Sequence, residues 1–507
     1  MYDVIVIGAG TNGLSFGLNA AGAGLRTLIV ESGSRVGGQA TAEEPLLPGF
    51  LVHPHANNLS YQDLLAIQTH PACRAMSPRT VTPIAQHGLC FRDGRPPLVI
   101  YRRDHRKKTR KSLATYSARD ATTYERCKAI ADQLTAALSK LFFSPPRAES
   151  FADYLAQVTA AFREIVDPSS AGRVSARDLI DQLFESDEIR TFFYLLTTEF
   201  AGDLDEPGGD IGLLGYVFWL LGRRTLPLGG MATVPEAMAD AARAAGAHIR
   251  LGAEVERVAV EEGVVQGVVL DDGTFIAGAV VASSAGYEVD LKVLLSREEL
   301  PAAELATLSR YEAASASRIG SYAACLAQAP QYRSSAHNPD INKCAQVFVG
   351  LDSTREVTNH LRDLRSGRLP APCGPVRVNT LWDPGQAPPE RHVAGADCAF
   401  PDGLDANYVS GIEQTYPAAF AKMWTEYAPN VDESVLAQRL SLSSGGNRKV
   451  ALREGDAQYR SHLRGMYFCG SSTHPGGGVH GACGTNAFQV MMSDGQAGAQ
   501  PSPRHAS

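Results

Sequence analysis

The 507-residue sequence lacks the features that mark several common classes of protein. Its nine cysteines stand at irregular intervals and form no C-x-x-C pair, which argues against a disulfide framework and against a zinc site. No apolar run is long enough to cross a membrane. No charged segment precedes the first predicted strand, so we expect no signal peptide. These absences favour a protein that is located in the reducing cytoplasm and has no metal site.

The overall charge gives no attraction to nucleic acid, because the formal net charge is -7. The basic run at residues 102–111 is a local exception. It is interpreted either as a solvated surface loop or as a contact with anionic lipid or another polyanion. No aromatic residues alternate with its charges, so we expect no nucleic-acid partner.

The longest apolar run, residues 211–221, predicts a short helix that is hydrophobic on all sides. Asp210 is a candidate N-cap, Gly222 a candidate stop, and Arg223-Arg224 would complement the helix dipole. Such a helix suits a buried core, the mouth of an apolar substrate tunnel or a peripheral contact with a membrane.

Apolar periodicity places α/β elements at both ends of the chain and in its middle. A strand at 3–7, a helix at 11–23 and a strand at 27–30 form a β-α-β unit. A second α/β segment follows the mainly helical residues 112–200, and it includes a hairpin turn at Asp272-Gly273. Other predicted elements are strands at 345–351, 376–382 and 465–469 and helices at 408–427 and from residue 484.

The β-α-β unit carries a dinucleotide-binding motif, in which Gly8, Gly10 and Gly13 are spaced as G-x-G-x-x-G. Gly8 permits the tight turn, Gly10 lets the backbone approach a pyrophosphate, and Gly13 lets the helix pack on the sheet. Glu31 ends the second strand, where a carboxylate accepts the ribose hydroxyls of an adenosine. The combination predicts a site for FAD or NAD.

Two further glycine-rich stretches favour FAD. Arg35 and the pair Gly37-Gly38 follow Glu31 closely, and a second glycine pair allows the backbone near the pyrophosphate from the opposite side. Residues 470–481 predict a glycine-rich turn between a strand and a helix. Its N–H groups and helix dipole suit the flavin edge that becomes anionic on reduction, although a surface loop is the simpler alternative.

These stretches together resemble the phytoene-desaturase-like FAD oxidoreductases of the amine-oxidase fold. This family includes bacterial carotenoid desaturases and the pyridine nucleotide-disulphide oxidoreductase domain-containing proteins. The resemblance follows the chain in order through residues 2–13, 35–41, 48–50, 226–231 and 470–481. Its most specific part is the string Ser-Thr-His-Pro-Gly-Gly-Gly-Val at 472–479.

The resemblance implies an α/β fold with a Rossmann-type FAD-binding domain made of discontinuous segments and an inserted α+β substrate domain. The FAD-binding parts are expected at 1–75, 226–300 and 441–495. A helical substrate or lid region is expected at 76–225, a substrate domain with sheet and helices at 301–440, and a disordered tail at 496–507. The implied FAD contacts are Gly8, Gly10, Gly13, Glu31, Arg35, Gly37, Gly38, Val255, Gly470, Gly478 and Val479.

Histidines near the expected flavin are the candidate catalytic residues, because histidine is the usual acid or base near neutral pH. His474 lies in the C-terminal turn and His55 follows the stretch at 48–50. The alternative for His474 is that it only holds the turn through a hydrogen bond to backbone. Cys483 is either a covalent flavin attachment point or an ordinary buried thiol.

The sequence predicts an FAD-dependent dehydrogenase or desaturase that passes hydride from a small, largely apolar or unsaturated molecule to flavin N5. No second G-x-G-x-x-G motif accompanies a later β-α-β unit. We therefore expect the electrons to leave to oxygen or a quinone rather than to arrive from NAD(P)H. The alternatives are a flavin amine oxidase, a redox-neutral FAD-dependent isomerase and a flavin-free binding protein of the GDP-dissociation-inhibitor type.

Overall fold

The computed structural model describes residues 1–146, 148–200, 203–295, 300–313, 317–442 and 459–498, and the statements below concern these residues. The first three elements are β1 (Tyr2–Ile7), α1 (Thr11–Gly22) and β2 (Thr27–Val30), which confirm the predicted β-α-β unit. The two strands pair in parallel, as strands joined by a crossover helix do.

The later strands fall in three sheets. In chain order they are β3 (Thr80–Val81), β4 (Ala85–Leu89), β5 (Leu98–Tyr101), β6 (Leu226–Pro227), β7 (His248–Arg250), β8 (Val255–Glu261), β9 (Val264–Leu270), β10 (Phe275–Ser283), β11 (Ser317–Leu326), β12 (Gln346–Val349), β13 (Gly374–Arg377), β14 (His392–Pro401), β15 (Val435–Leu442) and β16 (Met466–Phe468).

The helices cover the sheets and fill the region between them. In chain order they are α2 (Gln62–Ala66), α3 (Pro71–Ala75), α4 (Arg106–Ala114), α5 (Ala118–Gln133), α6 (Thr135–Phe142), α7 (Ala148–Phe162), α8 (Ala176–Leu183), α9 (Asp187–Phe200), α10 (Gly209–Gly212), α11 (Phe218–Leu220), α12 (Thr233–Ala244), α13 (Tyr287–Val289), α14 (Ala302–Ala313), α15 (Thr354–Arg365), α16 (Ala406–Tyr427), α17 (Val431–Ser434) and α18 (Ala482–Gly498).

The first sheet runs in the order β7-β2-β1-β10-β9-β8, and β16 also pairs with β10. Neighbouring residues of β1 face two different cores. Val4 and Val6 pack with α1, α12 and α18, whereas Ile5 and Ile7 pack with β8, β9 and the segment after β10. This double burial explains why the strand is apolar at successive positions. Three distant parts of the chain therefore form one sheet, as expected.

The second sheet runs in the order β15-β11-β14-β13-β12-β4-β5, and α16 packs on it. Segment 76–225, which we expected to be helical, supplies β4 and β5 to this sheet. All five residues of β4 are buried, including Gln86 and His87, so the strand shows none of the polar and apolar alternation that predicts one. The predicted strand at 376–382 is wrong in its second half, where a 3₁₀ turn covers Asn379–Leu381.

The basic run at 102–111 is a helix and not the expected loop. A 3₁₀ turn at Arg103–His105 leads into α4, whose inner face buries Thr109, Ser112 and Leu113. Charged side chains of the outer face pair with acidic ones, as in Lys108–Asp340 at 3.0 Å. The sequence does not reveal this helix, because its few buried residues stand among many charged ones.

The apolar run at 211–221 lies in the core. Helix α10, a π-helical turn at Leu213–Val217 and α11 follow each other directly, and Trp219 is fully buried. Asp210 is not the N-cap, which is Gly208; its carboxylate instead accepts a hydrogen bond from the Gly172 N–H at 2.9 Å. Arg223 does not complement the dipole of that helix but pairs with the carboxylates of Asp63 and Asp132.

The C-terminal helix is longer than expected. Helix α18 extends to Gly498, so residues 496–498 of the predicted disordered tail are helical, and residues 499–507 lie outside the described residues. In the described part of the chain, no helix combines the length and the apolar character that a membrane crossing needs. The division into domains at the expected boundaries stays a proposal.

The N-terminus of α18 crosses α1 so closely that only glycine fits. A Cβ added at Gly484 would collide with the Asn12 carbonyl oxygen. We expect Gly484→Ala to lower the free energy of unfolding by about 1–3 kcal/mol, the usual cost of overpacking. Gly495→Ala is the matched control in the same helix, because nothing lies within 4 Å of a Cβ there. Equal thermal stability of the two variants would contradict this close crossing.

Because of Asp290, we expect the free energy of unfolding of the protein to depend on pH. The Asp290 carboxyl is buried, and this burial raises its pKa from 3.8 to about 7. Between these values the unfolded chain loses the proton and the folded chain keeps it, so stability falls as pH rises. In denaturant titrations, Asp290→Asn should gain up to about 4 kcal/mol relative to the wild type from pH 4 to pH 8. A pH-independent difference would show that Asp290 is not buried as described.

Candidate functional site

The loop between β1 and α1 is held by close backbone contacts at its glycines. Gly8 has φ +91°, which glycine adopts without strain. A Cβ added at Gly13 would collide with the Gly8 carbonyl oxygen, so α1 begins directly against the loop. The Ser284 hydroxyl, at the end of β10, donates to the Ile7 carbonyl at 3.0 Å and closes the other side.

The second glycine pair lies directly on this loop. The Gly37 N–H donates to the Ala9 carbonyl at 2.9 Å, and Gly10 and Gly37 form an isolated parallel bridge. A Cβ added at Gly38 would lie 3.1 Å from the Gly10 Cα. The structure thus brings together two glycine motifs that are separate in the sequence.

The Glu31 carboxylate braces the same loop. Its Oε2 accepts from the Ala9 N–H at 2.7 Å, and its Oε1 accepts from the Gly33 N–H at 2.9 Å. The Ala253 N–H, two residues before Val255, donates to the Glu31 backbone carbonyl at 2.9 Å, so the chain leading into β8 pairs with the end of β2. Arg35 is exposed and makes no side-chain hydrogen bond with the described residues.

Two helix N-termini meet at this place. Gly10 is the N-cap of α1 and offers no side-chain cap, and the first turns of α1 and α18 contain no acidic residue. The close contact of Gly484 with Asn12 brings the start of α18 against the start of α1. Helix N-termini favour anions, so this glycine-lined cradle fits the pyrophosphate of a dinucleotide.

The turn at 470–481 is held from inside by the Cys483 thiol. It donates to the Gly476 carbonyl at 3.3 Å and to the Thr473 carbonyl at 3.5 Å, and burial raises its pKa to about 11. These contacts favour the ordinary buried thiol over covalent flavin attachment. Gly470 packs against the Ser284 carbonyl, which a Cβ would approach to 2.8 Å, so the turn adjoins the first glycine loop.

His474 is a buried part of this turn. Its Nε2 is 2.7 Å from the Leu141 carbonyl of α6, and burial lowers its pKa. This geometry favours the turn-holding alternative, while a catalytic role of His474 stays a prediction. His480 is also buried; its Nδ1 accepts from the Ala482 N–H at 3.0 Å, and burial lowers its pKa to about 4.

A pair of tyrosines, which the sequence did not single out, covers the turn. Tyr61 packs on Gly478, where a Cβ would lie 2.9 Å from the ring, and Val479 beside it is buried. The Tyr61 and Tyr216 hydroxyl groups are 2.7 Å apart. Tyr216 comes from the π-helical turn, so the apolar run at 211–221 contributes one residue to the site.

A polar cleft lies between the loop at 51–57 and the second sheet. His55 is exposed near this loop, whereas His53 bonds to Gln386 at 2.7 Å and to the Thr41 carbonyl at 3.3 Å. The residues that line the cleft are Leu51, Val52, His53, Asn57, Arg377, Asn379, Gln386, Val393, Ala394 and Gly395. His53 joins this cleft to the stretch at 35–41.

Behind the cleft, a buried guanidinium forms a network that sequence reasoning missed. Arg224 donates to the Asn57 side-chain oxygen at 3.1 Å and to Gln346, and it lies 3.7 Å from Glu199. Burial lowers the Arg224 pKa to about 10 and raises the pKa of Glu199. Burying such charges is costly unless they are paired, which marks the region as one with a specific role.

Two protein families match this chain. Residues 3–74 match the family described as FAD dependent oxidoreductase, and residues 74–320 match the family described as Flavin containing amine oxidoreductase. Residues 3–74 include the first two glycine motifs and Glu31. Residues 74–320 include Arg224 and Tyr216, whose hydroxyl group contacts that of Tyr61.

Curated relatives match over most of the chain. The rat pyridine nucleotide-disulfide oxidoreductase domain-containing protein 2 (Rattus norvegicus) is 26% identical over 97% of this chain and 94% of its own length. A limonene dehydrogenase protein of Castellaniella defragrans is 23% identical over the same shares. Hydroxyneurosporene desaturase of Rhodobacter capsulatus is 26% identical over 54% of each chain.

Solved structures share the fold. An oxidoreductase from Methanosarcina mazei aligns with a TM-score of 0.62 at 16% identity, over 97% of this chain and 99% of that one. Putrescine oxidase bound to putrescine aligns with a TM-score of 0.55 at 16% identity, over 98% and 99%. A Rab GDI from Plasmodium falciparum aligns with a TM-score of 0.53 at 11% identity, over 99% of each. The chain thus carries an FAD-dependent oxidoreductase family domain at residues 3–74 and a flavin-containing amine oxidoreductase family domain at residues 74–320.

Proposed function

We propose that this protein dehydrogenates a small molecule, with the cleft beside the loop at 51–57 as its substrate site. The observation that carries the proposal is the convergence of the three glycine segments, 8–13, 37–38 and 470–481, on one cradle that adjoins the cleft. FAD bound there supplies a hydride acceptor. The substrate loses a hydride and a proton, and the electrons leave to oxygen or a quinone.

Different residues of the site are proposed to bind different parts of the cofactor and to position the turn beside it. We propose that the first turns of α1 and α18 hold the pyrophosphate and that Glu31 and Val255 hold the adenosine end. Gly470, Gly478 and Val479 would contact the flavin ring, and Tyr61 packs on Gly478. His474 keeps the turn in place through the Leu141 carbonyl, and the exposed His55 is a candidate to exchange a proton with solvent.

Several observations support dehydrogenation over a flavin-free role. Two relatives are named for dehydrogenase and desaturase activities. A binding protein without flavin has no need for glycine loops packed as closely as those at Gly13 and Gly38, where an added Cβ would collide with the Gly8 carbonyl oxygen and lie 3.1 Å from the Gly10 Cα, respectively. The cleft wall combines apolar residues (Leu51, Val52 and Val393) with a few polar ones, so we propose a largely apolar substrate that carries a polar group.

The tyrosine pair favours a second candidate function, that of an amine oxidase. Tyr61 and Tyr216 meet above the turn at 470–481, and aromatic rings attract ammonium groups. A neighbour in fold is named putrescine oxidase.

As for the location of the protein, all nine cysteines are free and buried, which supports our proposal of a reducing cytoplasm.

Glu31 is the residue whose loss should affect FAD retention most directly. Glu31→Ala removes the acceptor for two backbone N–H groups, and charge-assisted hydrogen bonds contribute about 1.5–3 kcal/mol each. We expect FAD affinity to fall by about 10-fold or more in titrations of the flavin-free protein. Glu262→Ala, on the surface turn between β8 and β9, is the control and should bind FAD as the wild type does.

Anaerobic reduction of the bound flavin separates the candidate reactions. Primary amines on one side, and alcohols, acids and alkenes without an amino group on the other, are mixed with the FAD-loaded protein under nitrogen. We expect compounds without an amino group to bleach the flavin absorption, and oxygen or a quinone to restore it. Bleaching by amines alone would replace the dehydrogenase proposal with the amine oxidase, and a protein that takes up no FAD would overturn both.

A further inference from the structure

Arg377 has an unusual position for an arginine. It ends β13, lines the polar cleft and is only 5% exposed. Its Nη1 donates to the Asp397 carboxylate at 2.8 Å. Among the described residues, the guanidinium makes no other hydrogen bond. The Nε–H and Nη2–H groups therefore have no hydrogen-bond partner among the described residues. These two donors form the parallel fork that binds both oxygens of a carboxylate.

The charges around the cleft favour an anion over a cation as the bound group. The carboxylates of Asp397 and Glu199 are already engaged, by Arg377 and by the Gln346 amide at 2.6 Å respectively. The Arg377 Nε–H and Nη2–H groups are donors without a partner among the described residues, and behind the cleft the Arg224 Nε–H is also buried without one. Two guanidinium groups share this region, and a bound anion offsets their repulsion.

The cleft is joined to the expected cofactor site by direct contacts. His53, in the cleft wall, lies against Gly230, where a Cβ would be 2.7 Å from the imidazole. Gln386 donates to the Asp383 carboxylate, which also accepts from the Gly229 N–H, both at 2.7 Å. Gly229 and Gly230 belong to the stretch at 226–231, so a group held by Arg377 lies next to one of the family motifs.

We propose that Arg377 binds a carboxylate of the substrate through its Nε–H and Nη2–H groups, so that the substrates are small carboxylic acids. The Asn379 side-chain oxygen is buried without a partner among the described residues. It is placed to accept a hydrogen bond from a hydroxyl or amide N–H of the same molecule. This inference rests on the proposed dehydrogenase function and names the class of its substrate.

The test compares ligands that share a four-carbon chain and end in an anionic, a neutral or a cationic polar group. Butyrate, butyramide and butylamine are titrated into the FAD-loaded protein, and binding is followed by calorimetry and by changes in the flavin spectrum. Calorimetry also reports binding to protein without flavin. We expect butyrate to bind at least 10-fold more tightly than butyramide, and butylamine to bind no better than butyramide.

Variants of Arg377 assign that preference to its guanidinium. Arg377→Gln should weaken butyrate binding by about 10- to 100-fold and leave butyramide binding unchanged. Arg377→Lys keeps the charge beside Asp397 but loses the fork, so it should give an intermediate loss even if the Gln variant folds poorly. Arg368→Gln, which removes a guanidinium paired with Asp363 on the surface, is the control and should bind butyrate as the wild type does.

The outcomes separate this inference from the proposed function. Equal binding of butyrate and butyramide to the FAD-loaded wild type overturns the carboxylate site and leaves the dehydrogenase intact. Preferential binding of butylamine also overturns it and favours the amine oxidase. Unchanged butyrate affinity in Arg377→Lys overturns the role of the fork. A protein that takes up no FAD, by contrast, overturns the proposed function itself.

Discussion

The site depends on one physical constraint, the contact of backbone with backbone around Gly10. Gly37 and Gly38 lie on this residue from one side, and the start of α18 reaches the same loop through Gly484 and Asn12. A Cβ at Gly38 would approach the Gly10 Cα to 3.1 Å, and one at Gly484 would collide with the Asn12 carbonyl oxygen. Segments that are hundreds of residues apart in the chain therefore meet, and their N–H groups and helix dipoles point to one place.

A second constraint is the cost of the charges buried beside that cradle. Arg224 and Arg377 are 1% and 5% exposed, and each has a carboxylate nearby, Glu199 at 3.7 Å and Asp397 at 2.8 Å. Pairs of this kind contribute little net stability, because desolvation offsets their attraction. The placement of Arg377 on the wall of the cleft, with Arg224 behind it, is better explained by ligand binding than by stability of the fold.

The sequence predicted the cofactor domain well, for a physical reason. Strand β2 has the expected bounds, because this buried strand is a short apolar run that ends before the charged Glu31. The glycine motifs could also be recognised in the sequence, because a backbone contact that requires glycine is visible there as a glycine residue. Strand β4 was missed because it buries Gln86 and His87, and the Gln86 oxygen accepts from the N–H of Arg224, 138 residues away. The cleft was missed likewise, because Asn57, Arg224 and Arg377 meet only in the folded chain.

The central claim is that three separate chain segments form one FAD site, and hydrogen exchange tests it most directly. Amide exchange is compared in the flavin-free protein and after addition of FAD. The account predicts slower exchange at all three segments, 8–14, 37–41 and 470–484, with little change in α16 on the far sheet. Protection confined to one segment, or no protection on addition of FAD, would contradict it.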